Sequence, residues 1–178
     1  NTGSGGFVIA ASPVVGDRPQ SVTAADVNGD GQVDLVSANY GINTLSVLTN
    51  TGSGGSFVLA STPGVGIGPY SVTTADVNGD GKADLISANI SANTLSVLTN
   101  NGSGGFVLSS SPGVGSKPQV VAAADVNGDH QVDLISANQD DNLTVLTTNG
   151  GGGRALTAAP AVANWPLSVT AADVNGDG

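Results

Sequence analysis

The hexapeptide Asp26-Val27-Asn28-Gly29-Asp30-Gly31 returns as Asp76 to Gly81, as Asp125 to His130 and as Asp173 to Gly178, at spacings of 50, 49 and 48 residues. Units this short do not each enclose a separate core. They bury their apolar faces by stacking on near-copies of themselves, which restricts the chain to repeat architectures. The flanks repeat as well: Asp34 to Asn39 matches Asp84 to Asn89 and Asp133 to Asn138, and Thr44 to Thr49 matches Thr94 to Thr99. On this periodicity the chain divides into the end of a preceding unit (1–20), three units (21–70, 71–119 and 120–166) and the start of a fourth (167–178). The expectation is a continuation into further repeats, or self-association into a ring or a head-to-tail filament.

Within the first unit, four runs carry strand chemistry between turn signals: Ser21 to Val27, Asp34 to Asn39, Thr44 to Thr49 and Phe57 to Ser61. Composition agrees. There are 27 Gly for turns, against three Phe, two Tyr and one Trp. Leu45-Ser46-Val47-Leu48 is apolar on both faces and so requires cover on both. The first run is rich in small residues (Ala24, Ala25), as converging strands need. The expected fold is all-β: propeller-type blades of four antiparallel strands, three full repeats plus two partial ones.

Charge is concentrated in the repeated loop. All 14 acidic residues are Asp, and only Asp17, Asp140 and Asp141 lie outside the loops. The four cations, Arg18, Lys82, Lys117 and Arg154, are too few to neutralise them by salt bridges. No basic footprint for nucleic acid exists, and no run of 18 apolar residues is present to span a membrane. Cysteine is absent, so neither disulfides nor thiolate metal sites are available.

An alternating ladder of oxygen-bearing residues at loop positions 1, 3, 5 and 9, with a backbone carbonyl at position 7, is chemistry for calcium, which takes six to eight hard oxygen ligands. The expected first site is Asp26, Asn28, Asp30, Asp34 and the Gln32 carbonyl. The second is Asp76, Asn78, Asp80, Asp84 and the Lys82 carbonyl; the third is Asp125, Asn127, Asp129, Asp133 and the Gln131 carbonyl. Position 7 varies between Gln and Lys, as a main-chain ligand permits. The fourth copy ends before its ninth position. Ser37, Ser87 and Ser136 stand where a helix–loop–helix calcium loop carries Glu, and the flanks are strands, which excludes that class. Turn chemistry alone explains one such loop, but not three ladders with Asp always at position 9. His130 replaces the position-6 glycine, a residue that takes positive φ, so the third site is expected to be the weakest.

The loop Asp-x-Asn-x-Asp-Gly-x-x-Asp followed by Leu-Ile/Val resembles the FG-GAP/VCBS repeats, including those of the integrin α-subunit propeller. The eponymous segment survives only as Gly-Gly-Phe-Val…Ser-Pro-Gly-Val-Gly at Gly104 to Gly115. The resemblance implies a propeller with calcium between the first two strands of a blade, and relatives that are adhesion, lectin or accessory domains.

One His, no Cys and no Glu leave little for acid–base or nucleophilic catalysis. Gly150 to Gly153 is a loop, with no Lys-Ser/Thr after it to cradle phosphate. Sequons at Asn89, Asn101 and Asn142 are of the kind that chance supplies in a chain rich in Asn, Ser and Thr, and Trp165 departs from the repeat, as a packing residue or a sugar platform. The function expected is a calcium-stabilised, non-enzymatic extracellular repeat module for adhesion, surface or fibre and matrix architecture, with a glycan or a surface protein as possible partner. The alternatives are a lectin-like carbohydrate-binding propeller and an accessory domain of a larger secreted enzyme.

Overall fold

Runs of Val, Leu, Ile, Ser and Thr broken by Gly, Pro and Asn set short strands and tight reversals, and the structure, a computed structural model, follows them closely. It describes residues 9, 11–52, 55–102, 104–148 and 154–172. The first four strands are β1 (Pro19–Ala25), β2 (Asp34–Asn39), β3 (Thr44–Asn50) and β4 (Phe57–Ser61). Then come β5 (Pro69–Ala75), β6 (Asp84–Asn89), β7 (Thr94–Asn100) and β8 (Phe106–Ser110). The last four are β9 (Pro118–Ala124), β10 (Asp133–Asn138), β11 (Asn142–Thr148) and β12 (Arg154–Ala158). Each group of four is an antiparallel meander, and the described residues contain no helix. No helix is therefore long and apolar enough to cross a membrane, which says nothing of a barrel.

One strand differs from expectation. The first runs from Pro19 to Ala25 and not from Ser21 to Val27. Asp26 already accepts hydrogen bonds from the loop that follows, and Val27 leaves the ladder to enter the core, where it is 2% exposed.

The inner strands β1, β5 and β9 lie side by side, so the three sheets pack face to face. Alternate residues of the middle sheet serve opposite neighbours. Leu85 and Leu98 join Val36, Ala38, Leu45 and Val47 of the first sheet in one core. Ile86, Ala88, Leu95 and Val97 join Val121, Leu134 and Leu146 of the third sheet in another. This is why β6 is buried along its whole length and why β7 is apolar on both faces. Val72 and Val121 are 5% and 4% exposed at the equivalent inner-strand position, whereas Val22 of the first sheet is 65% exposed.

Every sheet also holds a buried polar cluster. In the first, Ser37 donates to the Asn39 side-chain oxygen while the Asn39 side-chain amide donates to Thr44 and Ser46. Ser46 in turn accepts from the backbone of Gly16, on the strap leading into the sheet. The second sheet repeats this with Ser87, Asn89, Thr94, Ser96 and Gly66. The third uses Ser136, Asn138, Asn142, Thr144 and Gly115. The strap glycine is obligatory: a Cβ on Gly66 would lie 2.6 Å from the Asn89 amide nitrogen.

Candidate metal centres

The acidic loops connect β1 to β2, β5 to β6 and β9 to β10, all at one end of the stack. In the first loop Asp26 folds the chain around itself. Its two oxygens accept from the backbone N–H groups of Gly29 and Gly31, both at 2.7 Å. Asn28 accepts from the Asp30 N–H and donates its amide to the Asp30 carboxylate, and Asp30 accepts from the Gln32 N–H. The second loop reproduces the turn: Asp76 accepts from Gly79 and Gly81, Asn78 from Asp80, and Asp80 from Lys82. The third does so with Asp125 accepting from Gly128 and His130, Asn127 from Asp129, and Asp129 from Gln131.

Position 9 has a separate place. Asp34, Asp84 and Asp133 are fully buried at the start of their strands. In the first unit one oxygen of Asp34 accepts from the Val27 N–H at 3.0 Å and the other from the Asn50 N–H at 2.7 Å. Asp84 holds Val77 and Asn100 in the same way, and Asp133 holds Val126 and Thr148. The ninth aspartate therefore clamps the head of the loop to the end of the third strand.

The backbone at position 6 is left-handed in each of the three described loops, with φ of 82° at Gly31, 80° at Gly81 and 63° at His130. His130 thus carries a Cβ in a conformation that disfavours one. Its imidazole is 98% exposed and stands 3.9 Å from the Asp125 carboxylate.

Charge within the loops is partly offset by the protein. The backbone N–H of Gly31, helped by those of Gly29, Asp30 and Asn28, holds the Asp26 carboxyl below its usual range. Against some desolvation, the N–H groups of His130, Gly128, Asn127 and Asp129 do the same for Asp125. Asp80 is lowered chiefly by Lys82, whose ammonium lies 3.0 Å from it. This ion pair, made by the short reach from position 7 to position 5, offsets one charge of the second loop, and four cations remain too few to neutralise the loops. Asp84 moves the other way. Burial raises it, and the like charges of Asp80 and Asp76 add to the rise against the two N–H donors.

Could these residues hold a cation? Among the described residues, no three carboxylate or imidazole groups gather round one point. The donor set nevertheless fits a hard divalent ion, because it is all oxygen and a carboxylate offers about four lone-pair positions. The two close backbone donors of Asp26, Gly29 and Gly31, take one position on each of its oxygens. The fourth acidic loop, residues 173–178, lies outside the described residues.

The profile of the FG-GAP-like repeat matches residues 26–87, 76–136 and 125–178, each span running from one acidic loop into or past the next. The chain belongs to the FG-GAP-like repeat family. No curated protein matches it. Among solved structures, a functionally unknown protein from Desulfotomaculum acetoxidans aligns with a TM-score of 0.63 at 14% identity, over 83% of this chain and 43% of that one. The BBS1N protein, solved in complex with ARL6DN, aligns with a TM-score of 0.60 at 14% identity, over 88% of this chain and 48% of that one. At such identities the likeness is one of fold. The FG-GAP-like chain spans less than half the length of either.

Two features of this FG-GAP-like repeat carry more than the sequence reading gave them. The Ser-Ala-Asn end of the second strand, visible as a repeat, is the buried Asn cluster of each sheet. Asn89, the first sequon, belongs to it and is fully buried. Trp165 does not depart from the pattern. It occupies the pre-proline position of Arg18, Gly68 and Lys117, with φ of 58° against 53°, 72° and 52°. Its N–H donates to Asp141, as those of Gly68 and Lys117 donate to Asn43 and Asn93.

Proposed function

We propose that the chain is a calcium-stabilised, non-enzymatic repeat module of an extracellular protein, serving adhesion, surface or matrix architecture. The observation that carries the reading is the threefold recurrence of one oxygen-only ladder at the same end of three stacked sheets. Asp26, Asn28, Asp30, Asp34 and the Gln32 carbonyl would hold the first ion. The corresponding residues from Asp76 to Asp84 and from Asp125 to Asp133 would hold the others. Bound there, calcium supplies charge neutralisation and a crosslink between loop positions. Burial is the main cause of the rise in the Asp84 carboxyl, and the smaller part that comes from the like charges of Asp80 and Asp76 is repulsion such an ion would relieve.

A loop closed by an ion in the folded state alone is stabilised by mass action. Sites without a bidentate Glu suit the high calcium concentrations outside cells, and a cysteine-free chain has no disulfide to take their place. Thermal unfolding in calcium and in EDTA tests the proposal. A midpoint that falls on chelation and recovers when calcium is restored supports it; an unchanged midpoint sinks it.

A further inference from the structure

At the end of the stack away from the acidic loops, the three sheets surround an open cavity of about 640 Å³. Both tyrosines of the chain, Tyr40 and Tyr70, and its single tryptophan, Trp165, line it. So do Arg18 and Lys117. No aspartate lines it, in a chain that has 14. Each unit contributes: Tyr40 follows β2, Tyr70 opens β5, and Lys117 immediately precedes β9.

The charges are as selective as the rings. Among the described residues, Lys82 is ion-paired with Asp80, while Arg18 and Lys117 form no salt bridge. The Arg18 guanidinium instead stacks over the Tyr40 ring, 4.8 Å from its centroid, an arrangement that leaves the edges of its planar fork for an anion. Asp17 precedes Arg18 in the chain, with its carboxylate against Gly41, and two further carboxylates are engaged by the backbone: Asp140 accepts from the Ser116 N–H and Asp141 from the Trp165 N–H. Gln119, Gln139 and Asn93 add amides to the wall.

We infer that this cavity binds an anionic saccharide, one bearing carboxylates on a pyranose chain. Tyr and Trp rings offer flat apolar faces with a polar edge, the surface on which the C–H face of a sugar rests. The amides meet hydroxyls as donor and acceptor together. Arg18 and Lys117 set the charge of the ligand, as cations of the wall that form no salt bridge among the described residues. The volume lies in the range of ligand pockets. The site stands apart from the metal loops, so the two proposals fail independently.

The probe is a hyaluronan hexasaccharide, titrated into the full chain in calcium-containing buffer, with binding heat and Trp165 emission as readouts. Saturable heat and a shifted emission are expected, with maltohexaose binding at least about tenfold more weakly. The double variant Arg18→Gln/Lys117→Gln, both positions exposed, is expected to weaken hyaluronan binding by at least about tenfold at an unchanged thermal midpoint. Absence of saturable binding overturns the proposal, as does equal affinity for maltohexaose or an undiminished affinity in the folded double variant. Tighter binding of a hexa-aspartate peptide than of hyaluronan also overturns it, in favour of an acidic protein partner.

Discussion

The side-chain amide of Asn100 donates to the backbone carbonyl of Val27, 73 residues earlier in the chain, at 2.7 Å and out of contact with water. The same amide donates to the Ala83 carbonyl at 3.0 Å, and the side-chain oxygen accepts from the Gly102 N–H. One asparagine thus ties the loop of the first unit to the loop and the third strand of the second. Asn50, its counterpart one unit earlier, reaches only the exposed carbonyl of Val33 at 3.2 Å, besides accepting from Gly52.

Asn100→Ala strips two carbonyls of a partner in a buried place, a loss of about 1–3 kcal/mol. Asn50→Ala removes bonds that water replaces. Urea unfolding of the two variants is expected to rank them in that order. Equal losses would mean that the inter-unit bond contributes nothing of its own.

Position 9 of the loop is expected to have two duties that chelation separates. Asp84→Asn exchanges an acceptor for an amide facing the N–H groups of Val77 and Asn100, and is expected to destabilise the chain by about 1–3 kcal/mol even in EDTA. Asp76→Asn, at partly exposed position 1, is expected to leave the stability in EDTA closer to that of the parent and to weaken calcium binding. Thermal melts of both variants, with and without calcium, separate the roles.

His130→Gly is expected to stabilise the chain by about 1 kcal/mol, the strain released at a left-handed position. For a chain of this size that is a rise of about 2–4 °C in thermal midpoint. The same change is expected to tighten the weakest of three calcium affinities, which calorimetric titration reads directly.

The strap glycines allow a steric test. Gly66→Ala drives a Cβ into the Asn89 side chain, in a cluster whose hydrogen bonds are already complete, and overpacking of this kind costs about 1–3 kcal/mol. Gly64→Ala, two residues away with nothing within 4 Å, is the control. Burial of Asn89 has a second consequence. Peptide mapping of the chain secreted from a glycosylating host is expected to find Asn89 unmodified, whatever happens at the exposed sequon Asn101.

The fold was legible because it is written three times. Any one run such as Thr44 to Thr49 is ambiguous between a buried strand and a piece of helix, but its recurrence between fixed turns is not. The one misplaced strand, β1, fails at Val27, where an apolar residue continues the pattern after hydrogen bonding has passed to the Asp26 side chain. The loops were legible as oxygen ladders, but the division of labour within them was not. An aspartate that caps a turn and one that clamps two strands are the same letter, and only the third dimension brings Asn50 to Asp34. The cavity around Tyr40, Tyr70 and Trp165 was equally hidden, since its parts are dispersed along the chain from Arg18 to Leu167 and become neighbours only when the sheets stack.

The shared cores bear on how the molecule resists being pulled. No sheet owns the residues that hold it: Leu85 and Leu98 belong to the preceding interface, Ile86 and Val97 to the following one. Under tension, a sheet packed on one face only can peel away by opening a single core, whereas the middle sheet is released only when both of its cores give way. A sheet packed on both faces therefore resists load better than one packed on a single face, and lengthening such an array would raise the share of the tougher kind without a change in any single unit.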